Sequence, residues 1–131
     1  MSVLLSAATL RNLREQPMWK LLAADRAPVI AALLDNLLLK EEKVLAASTL
    51  EERLTRDIEA LRVQGYELPY AAAAYVREWI DQGWLSRRLA QGAPEEELSL
   101  TTDAANAVRF IVSSTQPRRS ATESRLATVI N

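Results

Sequence analysis

The chain has 131 residues, no cysteine and no histidine, and its 16 basic and 17 acidic residues give a net charge of −1. This length predicts one main domain that buries its core without disulfides or metals. The missing residue types exclude thiol and imidazole catalysis and the usual zinc sites, so we expect a non-enzymatic protein without metal or cofactor. A net charge near zero is not typical of an autonomous nucleic-acid-binding domain.

Prolines mark the boundaries of the helices predicted in the N-terminal part of the chain. Leu10 and Leu13 lie one turn apart in "SAATLRNLREQP", which predicts a short helix that Pro17 ends or redirects. Pro17 also suits the start of a second helix and Pro28 that of a third. The third segment, "APVIAALLDNLLLKEE", has helical apolar spacing and is predicted to be the central core helix. Its apolar face consists of Ile30, Leu33, Leu34, Leu37 and Leu38.

The middle of the chain predicts two further helices. "KVLAA" before them is either a short strand or a plain connector. In "STLEERLTRDIEALRVQGYEL", Ser48 or Thr49 is the predicted N-cap and Gly65 the C-terminal stop. "PYAAAAYVREWIDQG" predicts the next helix, with Pro69 at its start and Gly83 at its end.

A β-hairpin and a last helix follow Gly83. The runs "WLSRRLA" and "EELSLTT" flank "QGAPEE" and predict two antiparallel strands, after which Thr102 or Asp103 caps "AANAVRFIVSST". We therefore predict a mainly α fold with a small β-hairpin, a winged-helix domain over residues 1–115. Residues 116–131 are predicted to be a linker and the start of a helix truncated from a longer protein.

Membrane and export signals are not predicted. The apolar run "VIAALLDNLLL" is interrupted by Asp35 and Asn36 and is shorter than a membrane span. The N-terminus lacks the basic-then-apolar order of a signal peptide. We expect a soluble cytoplasmic protein.

The basic pair of the hairpin has two interpretations. Arg87 and Arg88 are candidate DNA contacts, because basic side chains on a wing can reach phosphates. The acidic residues Glu95–Glu97 across the loop offer local partners instead, and a solvated or locally paired surface is favoured. The three tryptophans Trp19, Trp79 and Trp84 are predicted to be core residues.

The helix predicted over "YAAAAYVREWID" occupies the position of a recognition helix, yet its composition disfavours DNA. Its one basic residue is Arg77, while Glu78 and Asp81 would repel phosphate. The alanine-rich side suits protein packing, either within the monomer core or in a dimer. The candidate dimer or partner surface consists of Ala71, Ala74, Arg77 and Glu78.

Several segments resemble the N-terminal region of the JetA family, the kleisin-like subunits of Wadjet systems, also called MksF or EptA. They are "LRNLREQPMWKLLAADRAPVIAALLDNLL", "YVREWIDQGWLSRRL", "LSLTTDAANAVRFI" and "TESRLATVI". The matches follow the family's order along nearly the whole chain. The helix over 50–64 carries no motif, and Ala121 stands where the family pattern has glycine.

The resemblance implies a part of a bacterial SMC complex that restricts plasmid DNA. In that family the kleisin binds an SMC ATPase and a kite-type winged-helix subunit, and its N-terminal winged-helix domain is implied to be a homodimerisation module. The segment implied to contact the SMC subunit includes Arg118, Arg119, Glu123, Arg125 and Leu126. Direct DNA contact by this domain is left open. The alternative function is an independent winged-helix transcriptional regulator that binds DNA.

Overall fold

The computed structural model describes residues 2–115, which form six helices, a 3-10 turn and three short strands. The predicted further helix within 116–131 lies outside this part of the chain. In chain order the elements are α1 (Val3–Asn12), the 3-10 turn (Leu13–Glu15), α2 (Pro17–Ala23), α3 (Ala27–Leu38), β1 (Val44–Ala46), α4 (Ala47–Val63), α5 (Ala72–Asp81), β2 (Leu85–Arg88), β3 (Glu97–Leu100) and α6 (Thr102–Ser113). The prediction of a mainly helical fold with a small antiparallel hairpin is confirmed.

The sheet has three antiparallel strands in the order β1-β3-β2. The predicted hairpin pairs β2 with β3, so that Arg87 lies opposite Leu98, and Leu45 of β1 lies opposite Leu98 on the other side. The segment "KVLAA" therefore contains a strand rather than a plain connector. Its pairing partner is more than fifty residues away in the chain, so no local pattern could reveal it.

The core lies between α3 and the elements around it. Leu34 and Leu38 are almost completely buried, as the apolar spacing predicts, while Ile30 is half-buried. Helix α6 packs on α2 and α3, and α4 packs on α5. Truncation of a fully buried leucine to alanine typically costs about 2 to 5 kcal/mol, so α3 contributes strongly to stability.

Two of the three tryptophans are core residues. Trp79 and Trp84 are buried, and the indole Nε1 of Trp84 donates a hydrogen bond of 2.9 Å to the backbone carbonyl of Pro17. Trp19 is 43% exposed, so its predicted core position is wrong. The physical reason is that the short helix α2 buries Leu21, and a residue two positions away on a helix points to a different side.

Helix boundaries differ from the predicted ones at three N-termini. Helix α4 begins at Ala47, one residue before Ser48, and its N-cap residue Ala46 has no capping side chain. Helix α6 is capped by Thr101, whose hydroxyl accepts a hydrogen bond from the Ala104 backbone N–H, so Thr102 and Asp103 lie inside the helix. Adjacent serine, threonine and aspartate residues are all able to cap a helix, so local composition did not determine where either helix begins.

The third shifted boundary is that of α5, which begins at Ala72 rather than near Pro69. The chain before it is held by Arg62, whose guanidinium donates hydrogen bonds to the carbonyls of Leu68 (2.7 Å) and Tyr70 (2.8 Å). With these carbonyls bound to a side chain and Leu68 buried, the segment is not helical before Ala72.

Gly83 ends α5 in a position that accepts only glycine. Its φ of +82° is in the left-handed region, and a Cβ atom there would lie 2.8 Å from Cγ of Pro17. Gly92, in the hairpin loop, has a similar φ of +80° but nothing within 4 Å of its Cβ position. Both glycines are required by the backbone conformation, and Gly83 also by close packing.

We predict that Gly83→Ala destabilises the domain more than Gly92→Ala does. Both substitutions carry the cost of a left-handed alanine, and Gly83→Ala adds overpacking against Pro17 that typically costs about 1 to 3 kcal/mol. Urea unfolding followed by circular dichroism measures the difference between the two variants. Equal free energies of unfolding would contradict the close packing of Pro17 on Gly83.

Candidate interaction surface

Helix α1 carries apolar side chains that the rest of the described chain does not cover. No residue of α1 is buried, and Val3 and Leu4 are 82% and 81% exposed. The 3-10 turn and α2 add further exposed apolar side chains. We call this set the N-terminal apolar surface: Val3, Leu4, Leu5, Leu10, Leu13, Met18, Trp19 and Leu22.

The N-terminal apolar surface is the main feature that sequence reasoning missed. The spacing of Leu10 and Leu13 predicted a short helix, and its burial was not questioned. The available signal was that Val3, Leu4 and Leu5 are consecutive, so they point to different sides of a helix. A helix that is apolar on several sides needs more than one neighbour to cover it.

Burial of the uncovered apolar side chains against a partner lowers the free energy. Complete burial of one valine, leucine or methionine side chain is worth about 1.5 to 3 kcal/mol. Contiguous apolar patches on soluble domains are typical of interaction sites. The N-terminal apolar surface can therefore supply binding free energy to a protein partner.

The candidate partner residues of α5 lie on its outer side. Ala71, Arg77 and Glu78 are exposed and Ala74 is half-buried, whereas the opposite side of the helix is buried in the core. The structure thus brings the four predicted residues together at the surface. Their role in dimerisation stays a prediction, and their small or charged side chains offer less apolar area than α1 does.

A groove of about 730 Å3 lies between the α2–α3 corner and α5. Buried apolar side chains from α3, α5 and the turn after α5 contribute to its lining, among them Leu33, Trp79 and Trp84. Its charged and polar lining residues are Lys20, Asp25, Arg26, Glu78 and Gln82. Glu78 therefore belongs both to the outer side of α5 and to this groove.

The candidate DNA contacts Arg87 and Arg88 lie on β2, an edge strand, and both are exposed. Arg87 Nε is 4.0 Å from Glu96 Oε1, and their side chains are 60% and 46% exposed. A surface pair of this kind contributes about 0 to 1 kcal/mol. Arg88 forms no ion pair with residues 2–115, so local pairing is confirmed for Arg87 alone.

Glu95 has a different role from the one predicted for the acidic loop. Its carboxylate accepts hydrogen bonds from the backbone N–H (2.6 Å) and hydroxyl (2.9 Å) of Ser48, at the N-terminus of α4. These two bonds lower the pKa of Glu95 below its usual value. The carboxylate thus caps a helix that lacks a cap of its own and joins the hairpin loop to α4.

The segment implied to contact an SMC subunit, with Arg118, Arg119, Glu123, Arg125 and Leu126, lies outside the described residues. Within 2–115, no three acidic side chains are close enough together to hold a metal ion. In the same range, none of the helices combines the length and apolarity needed to cross a membrane.

Comparison with known proteins identifies one family. The sequence profile described as "Protein of unknown function (DUF3375)" matches residues 11–131. No curated protein and no solved structure matches the chain significantly.

We predict that Glu95→Gln lowers the thermal unfolding temperature at neutral pH and removes part of its pH dependence. Because the folded-state pKa of Glu95 is depressed, its contribution is complete above the unfolded-state pKa of about 4.3 and is lost as the pH falls through the lower folded value. Wild type and variant should therefore converge only when the pH falls below the depressed folded-state pKa of Glu95. The matched control is Glu59→Gln on the exposed side of α4, and an equal effect of both substitutions would contradict the cap.

Proposed function

We propose that this chain, which belongs to the DUF3375 family, is a non-enzymatic assembly module that forms a homodimer. The observation that carries the proposal is helix α1, ten residues long and without one buried side chain. An isolated helix of this length is marginal in water, so α1 is expected to gain its stability from a partner. A second copy of the chain is the partner that is always present.

The assignment of a winged-helix fold is part of the same proposal. The order α3, β1, α4, α5, β2, β3 and the strand order β1-β3-β2 support a winged-helix arrangement. In it, α5 takes the position of the recognition helix and the hairpin β2-β3 is the wing. The exposed Glu78 and Asp81 on α5 favour a protein-binding use of this arrangement over base readout.

The resemblance to the JetA family supports a proposal for the complex in which the assembly module acts. In this proposal the chain is the N-terminal region of a kleisin-type subunit of a Wadjet SMC complex, which restricts plasmid DNA. Its partners in the complete complex are an SMC ATPase and a kite-type winged-helix subunit. The ordered sequence motifs support this assignment, and the cytoplasmic location stays a prediction.

An independent DNA-binding regulator is the second candidate function. The observation that favours it is the exposure of Arg87 and Arg88 on β2, with only a 4.0 Å ion pair to Glu96. Two arginines can supply about two phosphate contacts, which is few for a stable complex at physiological salt. The acidic outer side of α5 further weakens this alternative.

We predict a dimer that depends on α1. Leu10→Glu should raise the dimer dissociation constant at least about 100-fold, since a two-fold interface loses the leucine twice and each burial is worth about 1.5 kcal/mol or more. Light scattering across a concentration series measures the change. The unfolding temperature at a concentration where both proteins are monomeric should stay unchanged, because no α1 residue is part of the core.

The matched control for this experiment is Val63→Glu, since Val63 is an 81% exposed apolar residue at the end of α4. This variant should dimerise as the wild type does. A wild-type chain that remains monomeric at millimolar concentration would contradict the proposed homodimer, and so would an equal loss of dimer in both variants.

We predict that the dimer has weak, sequence-independent affinity for duplex DNA. Fluorescence anisotropy at low salt with Arg87→Ala/Arg88→Ala measures the contribution of the wing, and Arg53→Ala/Arg56→Ala on α4 is the control. Tight binding with a strong salt dependence, reduced in slope by about two in the wing variant alone, would favour the regulator instead.

A further inference from the structure

Two features of the chain have no binding partner within residues 2–115. One is the uncovered helix α1, and the other is the groove between the α2–α3 corner and α5. We propose that α1 of each copy docks into this groove of the other copy, so that the dimer forms by reciprocal exchange of N-terminal helices. This inference rests on the proposed homodimer and specifies where α1 binds.

The connection between α1 and the domain keeps α1 out of its own groove. Helix α1 packs chiefly against the 3-10 turn that follows it, and no α1 residue lines the groove. The start of α2 is fixed, because the Pro17 carbonyl accepts the Trp84 indole hydrogen bond and the Pro17 ring packs on Gly83. Only the 3-10 turn and Gln16 separate α1 from this fixed point, and no side chain of α1 is buried against the domain.

One side of α1 has the apolar spacing of a helix bound in a groove, while Leu4 and Leu5 lie on other sides of the helix. Val3, Ala7 and Leu10 stand at i, i+4 and i+7 and so share one side of the helix. Recognition of an amphipathic helix by an apolar groove uses anchors at this spacing. The half-buried side chains of Val29 and Ile30 in the lining give such anchors an apolar contact surface.

Both features carry charges of both signs, so individual opposite charges can pair between them. The C-terminal end of α1 and the 3-10 turn carry Arg11 and Arg14, while the groove is lined by the acidic residues Asp25 and Glu78. None of these four residues forms an ion pair with another residue of the described range. Glu15, which follows Arg14, can form an ion pair with Lys20 or Arg26, the two basic residues of the groove lining.

Glu78 connects this inference to the surface predicted on α5. It is exposed on the outer side of the helix and also lines the groove. An α1 helix in the groove would therefore contact the edge of that predicted surface. A simple pairing of α1 with α1 of the second copy would leave the groove and its acidic residues without a partner.

The absence of cysteine from the chain permits a direct test by disulfide cross-linking. Two single-cysteine proteins, Leu10→Cys and Gln82→Cys, are mixed and oxidised with glutathione disulfide. Because the two cysteines are on separate molecules, a mixed disulfide shows that α1 of one copy lies close to the groove of the other copy. We expect the mixed dimer to form at least about tenfold faster than with Ala60→Cys, an exposed position on α4 outside the groove.

The outcomes separate this inference from the proposed function. A dimer by light scattering that gives only Leu10→Cys homodimers, or mixed dimers at the rate of the Ala60→Cys control, overturns helix exchange and leaves the homodimer intact. A chain that is monomeric by light scattering overturns both. As a second measurement, Ile30→Glu places a charge in the groove lining and should abolish the dimer while circular dichroism shows the native helix content.

Discussion

The contact between Pro17 and the turn Gly83–Trp84 is the constraint on which the rest of the structure depends. Trp84 donates its indole N–H to the Pro17 carbonyl across 67 residues of sequence. The Gly83 carbonyl accepts the Thr101 hydroxyl at 2.7 Å, and the Trp84 carbonyl accepts the Thr101 backbone N–H at 3.1 Å. One turn therefore holds the start of α2, the end of α5, the start of β2 and the cap of α6 together.

This junction also explains why the domain exposes an apolar helix. Pro17 is fixed against Gly83, and α1, which ends five residues before Pro17, has no buried side chain. The groove next to the junction contains Trp84 in its lining, so the same turn shapes the surface that we propose as the docking site.

Acidic residues that are adjacent in the hairpin loop have different partners. Glu95 and Glu96 are neighbours in sequence, yet one caps α4 through Ser48 and the other lies beside Arg87. The hairpin loop is thereby attached to α4 at one residue and faces solvent at the next. Arg87 therefore has an acidic neighbour, whereas Arg88 forms no ion pair within residues 2–115.

The sequence by itself determined the local periodicity of this protein and excluded some of its chemistry. The apolar spacing of α3, the prolines at helix starts and the glycines after α4 and α5 are local signals, because helix geometry depends on neighbours three and four residues apart. Only the tertiary structure decided which of several chemically similar residues are buried or hydrogen-bonded. Trp19 and Trp79 are chemically alike, and Thr101 and Thr102 are both able to cap, but the distant elements that surround each residue differ. The pairing of β1 with β3, the Glu95 cap and the uncovered α1 all depend on contacts between segments far apart in the chain, which no local pattern encodes.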